Sequence, residues 1–238
     1  ARMAFDLSAV PSRLLPLTPL YARALTELGT KHSDYVKLGF EISAHTGSLG
    51  AGAVVLPRLS DAAPVTFLSF SGKCTADKVD RMTALMEEIL SEPDFDNRER
   101  FMQMALEEKA RMEQAAVPSG HTLVNTRLNG RLSAAGRISE EMNGVNALFH
   151  VRELIRRLEQ DWESVRLDLV GLHERIIRMV GKTWGIPDAE TQEWLDAIAK
   201  EHSYAESDSP EHVRPEKELP VNLSGLETLN MIWDLFET

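Results

Sequence analysis

RFMQMALEEKARMEQAAVPSGHTLVNTRLNGRLSAAGRISEEMNG, residues 100–144, is the stretch whose reading decides the fold. It begins within a helix expected from Asn97 to about Ala116. Phe101, Ala105 and Met112 recur there on one side, with Glu107, Glu108 and Arg111 on the other. The methionines at 102, 104 and 112 fall at helical spacing and read as packing residues. Pro118-Ser119-Gly120-His121 breaks this helix, and Ser119 reads as the cap of a second one with His121 in its first turn. The second helix is expected from His121 to Ala135, with Leu128, Leu132 and Ala135 at core spacing. Ala134, Ala135 and Gly136 are small enough to let helices approach closely. Gly144 marks the next break.

Toward the N-terminus the chain is organised as helices around a small strand region. Residues 1–12 read as an extended, proline-punctuated arm. Pro16 and Pro19 introduce a helix with Leu20, Ala24 and Leu28 on one face and Gly29 as its stop. Ser33 or Asp34 caps a second helix that ends at Gly47. Two strand-like runs follow, SLGAGAVVLP (48–57) and PVTFLSFSGK (64–73), joined by a turn-forming segment. Glycines weaken a strand interior, so the first run is expected to be short or to admit another backbone closely. Cys74 is a small residue at the end of the second run, and Asp77 is expected to cap a helix striped by Val79, Met82, Met86 and Ile89.

Beyond Gly144, two surface helices are expected. Val145 to Gln160 carries Val145, Leu148, Val151, Ile155 and Leu158; Trp162 to Val180 carries Val165, Leu169, Leu172, Ile176 and Met179. A modest helix, ETQEWLDAIAKEH, precedes a charged, apolar-poor linker or mobile loop at 201–220. The segment 221–238 opens with Ser224-x-x-Glu227, a capping box, and aligns Leu226, Leu229, Trp233 and Phe236 on one face.

Chemistry is notable for what the sequence excludes. The formal net charge of −11 argues against nucleic acid and anionic membranes as partners. One cysteine permits neither an intrachain disulfide nor a cysteine metal cluster. No apolar run reaches the roughly 20 residues of a membrane span, and no secretory signal is read at the N-terminus, so the chain is expected in solution, in cytoplasm or an organelle matrix. No two of the seven histidines are four apart, which excludes His-Glu-x-x-His and His-x-x-Glu-His. His173-Glu174 begins like the first and lacks the second histidine. A phosphate-cradling glycine loop and a GxSxG elbow are also absent. Glu87/Glu88 and Glu140/Glu141 read as solvated charge, since sequence neighbours do not face each other on a helix. Arg127 and Arg131, one turn apart, either face a carboxylate ligand or bridge to nearby glutamates.

LPLTPLYARALTELGTKHSDYVKLGFEISAHTGSL (15–49) resembles the start of the third domain of presequence-protease-like peptidases, a branch of the pitrilysin and insulinase zinc metallopeptidases. That branch has a helix ending in "LTELGT", a second helix and a "TGG" turn, where this chain has Thr46-Gly47-Ser48. The stretch at 100–144 is similar to the family's long helix, Ser-Gly-His break and "ISE" helix, and Asn143-Gly144-Val145 stands for its Gly-Gly-Val. The resemblance covers roughly residues 14 to 178.

The resemblance implies an α+β domain at 13–200, an antiparallel sheet with helices packed on one face, inside a four-domain enzyme closing over a chamber. It implies that zinc and its His-x-x-Glu-His motif belong to the first domain, so this chain carries no catalytic residue, no metal ligand and no cofactor of its own. Its expected partners are the other domains of the same peptidase and unstructured peptides, often basic, which form the family's substrates. Its expected work is to form chamber wall and brace the C-terminal half. His121, Arg127 and Arg131 are the residues that would face the chamber. After Met179 the sequence departs from the family pattern, which points to a divergent or truncated end. The other reading is a free-standing interaction protein that reuses the fold without protease activity.

Overall fold

The computed structural model describes residues 1–57 and 64–183, with 178–183 described by backbone alone. The modest helix, the linker at 201–220 and the segment 221–238 expected from the sequence lie outside the described residues. The fold is α+β and helix-rich, around a three-stranded antiparallel sheet.

The sheet consists of β1 (Arg2–Asp6), β2 (Ser48–Pro57) and β3 (Pro64–Lys73), in the order β1-β3-β2. Alternation along β3 sets its orientation: Thr66, Leu68, Phe70 and Gly72 are buried, while the intervening residues reach the other face. Phe5 of β1 pairs with Leu68, and Met3 with Phe70, so β1 adds to the same apolar face. Within the N-terminal arm, residues 2–6 are therefore a hydrogen-bonded strand of the sheet, while 8–10 turn and a 3-10 helix begins at Ser12. The strand's contribution was hidden because a five-residue edge strand needs only Met3 and Phe5 facing inward. β2 runs for ten residues, so of the two expectations, a short strand or a strand open to close backbone approach, the first does not hold. Gly50 and Gly52 keep their ladder partners, Ser71 and Ser69, so their cost in propensity does not interrupt pairing.

Helices α1 (Thr18–Glu27), α3 (Val79–Ser91) and α8 (Trp162–Thr183) cover the Leu68–Phe70 face. Their inward residues Leu20, Ala24, Leu25, Met82, Leu85, Ile89, Val165 and Leu169 are buried with it in one cluster. Close approach of α3 is visible at Gly72, where a Cβ would stand 2.8 Å from Met82 Sδ. Gly29 ends α1 at φ 108°, a left-handed conformation open to glycine, and a Cβ there would stand 2.8 Å from the Ser33 carbonyl oxygen. Asp34 caps α2 (Tyr35–His45), accepting from Lys37 N at 2.8 Å. Asp77 lies in a short 3-10 turn, and its carboxylate engages the Thr75 side chain. It does not cap α3, because the helix starts two residues later.

The 100–144 stretch folds as three helices where two were expected. Asn97 caps α4 (Arg98–Ala116) through Arg100 N at 3.1 Å, and Phe101, Met104 and Ala105 are buried. After the Pro118 break come α5 (Gly120–Leu132) and α6 (Ala134–Asn143), then α7 (Val145–Gln160). Ser119 holds the cap position of α5, yet its side chain makes no capping bond. Ser133 does that work for α6, accepting from Gly136 N at 2.9 Å. Because Ser133 breaks the helix, Ala135 leaves the stripe assigned with Leu128 and Leu132. Those leucines are 53% and 80% exposed, so they are not core residues. α5 rests on α6 through its other side and buries no residue of its own.

Candidate functional site

Arg127, central in α5, turns toward α6 and the start of α7. Its Nη1 donates to Glu140 Oε1 at 2.7 Å and to Asn146 Oδ1 at 2.6 Å. Glu140 is 4% exposed, and Asn146 N also donates to its Oε1 at 3.3 Å. A carboxylate therefore lies against the N-terminal turn of α7, where free backbone N–H groups and the helix dipole favour negative charge. Asn146 Nδ2 donates to Glu141 Oε1 at 2.8 Å, and the Asn146 carbonyl accepts from His150 Nδ1 at 2.8 Å.

Small residues permit this junction, as the sequence suggested. A Cβ at Gly136 would collide with the Asn129 carbonyl, and one at Gly144 with the Glu140 carboxylate. Glu140 Oε2 is buried and has no hydrogen-bond partner among the described residues. Glu140 was read as solvated charge; it is instead the buried anion that joins α5, α6 and α7. The small residues around it were the available signal, since they imply elements too close to leave a carboxylate in water.

The three residues expected to face the chamber do not form one constellation. Arg127 is committed to Glu140 and Asn146. His121 and Arg131 are exposed on α5 and make no hydrogen bond or ion pair with described residues. Next to Arg131, Val124, Leu128 and Leu132 are exposed as well.

His173 shows what the truncated zinc-motif reading concealed. Its Nδ1 lies 2.8 Å from the Tyr21 hydroxyl, its ring packs edge-on to Phe95 with centroids 5.5 Å apart, and the Leu90 backbone engages it as well. Burial pushes its pKa down to about 4 and pushes that of the fully buried Tyr21 up. A neutral imidazole locked among α1, α3 and α8 is a structural clamp.

Ion pairs elsewhere tie α1 to α4. Arg23 and Arg100 both reach Glu27, at 2.8 and 3.1 Å, and the Arg100 guanidinium lies 5.1 Å from the centre of the Tyr35 ring. Among the described residues, no group of three or more His, Cys, Asp or Glu side chains converges in a way that could hold a metal. No helix among them is long and apolar enough to cross a membrane.

Comparison with known proteins matches residues 1–154 to the family model described as peptidase M-16C associated. Presequence protease 1, chloroplastic/mitochondrial, of Arabidopsis thaliana is 30% identical over 177 residues, which cover 74% of this chain and 16% of that protein. The mitochondrial presequence protease of Kluyveromyces lactis is 24% identical over 225 residues, covering 92% of the chain and 22% of the relative. Protein HypA of Clostridium perfringens is 30% identical over 145 residues, 60% of the chain and 15% of that protein. The chain thus spans about a fifth or less of the length of these relatives.

Proposed function

The chain belongs to the peptidase M-16C associated family, and from that premise we propose that it is a non-catalytic domain of a zinc metalloendopeptidase that degrades unstructured peptides. The observation that carries this reading is the family match through residue 154, together with relatives named presequence proteases. Within the parent enzyme the domain forms part of the chamber wall and braces the C-terminal half. Zinc belongs to another domain. This domain's share is surface: His121 and Arg131 stand exposed on α5, free to meet a peptide, and a net charge of −11 favours basic peptides by long-range attraction. The relatives' names place those proteins in mitochondria and chloroplasts, which supports an organelle matrix as the parent's setting, with the cytoplasm as the other aqueous one.

Zinc content and peptide hydrolysis, measured on the isolated chain and on a longer protein that also carries a His-x-x-Glu-His domain, test the proposal. The isolated chain is expected to hold no stoichiometric zinc and to cleave nothing. The longer protein is expected to cleave unstructured peptides and to lose that activity when residues 1–183 are removed. Stoichiometric zinc with chelator-sensitive hydrolysis by the isolated chain would overturn the assignment.

A further inference from the structure

We propose that the free edge of β2 is a binding site for an extended peptide, which pairs with Leu49, Ala51, Ala53 and Val55 through its main chain. In an antiparallel ladder each residue directs both of its backbone groups to one neighbour. Ala1 and Gly72 exchange both bonds at 2.9 Å, and Leu7 N donates to Thr66 O at 3.0 Å. Thr66, Leu68, Phe70 and Gly72 therefore turn toward β1. The residues between them turn toward β2, where their partners are Ser48, Gly50, Gly52, Val54 and Leu56. The remaining β2 residues, Leu49, Ala51, Ala53 and Val55, point their N–H and C=O groups to the other side. No main-chain hydrogen bond from the described residues reaches them there.

Among the described residues, that edge carries none of the charges, bulges or mid-strand prolines that usually blunt one. Residues 48–57 contain no charge, the register with β3 is unbroken, and the proline stands at the end. The opposite edge of the sheet differs: β1 turns Arg2, Ala4 and Asp6 outward, and the Asp6 carboxylate is occupied by Ser8 N and Oγ, both at 2.8 Å. Leu49, Ala51, Ala53 and Val55 also pack their side chains against the core, which holds the β2 edge in place.

The glycines supply an independent reason. A Cβ at Gly50 or Gly52 would meet nothing within 4 Å, so no packing among these residues demands glycine there. Each weakens the strand, by up to about 1 kcal/mol relative to residues with good strand propensity. With Ser69 and Ser71 they floor an open groove running along residues 48–54. An incoming strand would lay alternate side chains beside that floor, where large apolar ones find room above the missing Cβ atoms. Amides and carbonyls in register, with no main-chain partner among the described residues, specify an extended backbone, and an uncharged edge offers nothing to phosphate. The occupant is thus an unstructured peptide with large apolar residues at alternate positions. The inference rests on the proposed function only in taking such peptides from the enzyme's substrates.

The test uses the 238-residue chain and a synthetic peptide of alternating Phe and Ser with Lys at both ends. Binding is read by fluorescence anisotropy, and amide exchange by NMR. The peptide is expected to slow exchange at Leu49, Ala51, Ala53 and Val55 specifically. Ala51→Pro removes one outward N–H while leaving the β2–β3 ladder intact, and is expected to weaken binding about tenfold. N-methylation of the peptide at alternate bonds is expected to abolish binding, and it decides the matter if Ala51→Pro disturbs the circular dichroism. Undiminished binding of the N-methylated peptide would overturn the proposal. So would protection of the four amides without peptide that grows with protein concentration, since the edge would then belong to a second copy. Hydrolysis by the longer, zinc-bearing protein is scored separately, so loss of edge binding with hydrolysis retained refutes this site alone.

Discussion

Tyr21 and His173 stand 152 positions apart in the chain and 2.8 Å apart in space, hydroxyl to Nδ1, closing α8 onto α1. The imidazole is neutral in the fold, its pKa pushed down to about 4 from an ordinary 6.5 by burial. Between those values the unfolded chain binds a proton that the native chain refuses, so stability rises with pH across the window. The contribution is complete above pH 6.5 and is lost as pH falls through 4, roughly 3 kcal/mol in all. Urea unfolding at several pH values should show a shallower slope for His173→Gln than for the natural chain in this window. Equal slopes would mean that His173 titrates normally in the fold.

At Gly144 the constraint is steric. Its φ is −93°, which any residue adopts, yet a Cβ would collide with the Glu140 carboxylate, a group already pinned by Arg127 and Asn146 N. Gly144→Ala is therefore expected to cost about 1–3 kcal/mol, read as a lower urea midpoint at unchanged m-value. Gly171→Ala, where a Cβ meets nothing within 4 Å, is the matched control and should be neutral or slightly stabilising. Equal effects of the two would remove the steric account.

How far the sequence could be read follows from which forces leave a periodic trace. Strand β3 and the helices at 145–160 and from Trp162 were legible because one buried face recurs at a fixed spacing, whereas β2 was read as a strand-like run without its ten-residue length being foreseen. The cap of α2 was narrowed to Ser33 or Asp34 because a short acceptor precedes an apolar stripe, whereas Asn97 was read as the first helical residue and is the cap. The break at Ser133 was not, since Leu128, Leu132 and Ala135 continue a helical period through it. Exposed leucines and buried leucines look alike in a sequence. The Glu140 site was hidden for a related reason: its partners lie 13 and 6 positions away, at no helical or strand spacing. The Tyr21–His173 clamp is longer in range still, and no local pattern encodes it.

The Arg127–Glu140 pair should be asymmetric. Removing Arg127 leaves a carboxylate that is 5% exposed facing only the α7 N-terminus, whereas Arg127 itself is 46% exposed and can return to water. Arg127→Met is expected to cost about 2 kcal/mol, less than a fully buried pair because water screens the guanidinium. In a Glu140→Gln background, where no buried charge is orphaned, the same substitution should cost about 1 kcal/mol less. A double-mutant cycle by chemical denaturation measures the difference, and zero coupling would show that the two side chains act independently.

Arg131 tests the proposed role of α5. It makes no ion pair or hydrogen bond with described residues, so Arg131→Ala should leave stability of the isolated chain within about 0.5 kcal/mol. If α5 faces the chamber, the substitution matters only when a peptide is present. A guanidinium offers a carboxylate two parallel hydrogen bonds, so the loss should fall on peptides bearing Asp or Glu, and basic peptides should be indifferent or slightly favoured. In the longer, zinc-bearing protein the expected signature is a KM raised a few-fold for acidic peptides at unchanged kcat, a loss of binding shared by ground and transition states. Removing His121 as well should add to the effect only if both side chains meet the same peptide. Unchanged KM for acidic and basic peptides alike would place α5 outside the chamber and withdraw His121 and Arg131 as contacts, while leaving the family assignment and the β2 edge untouched.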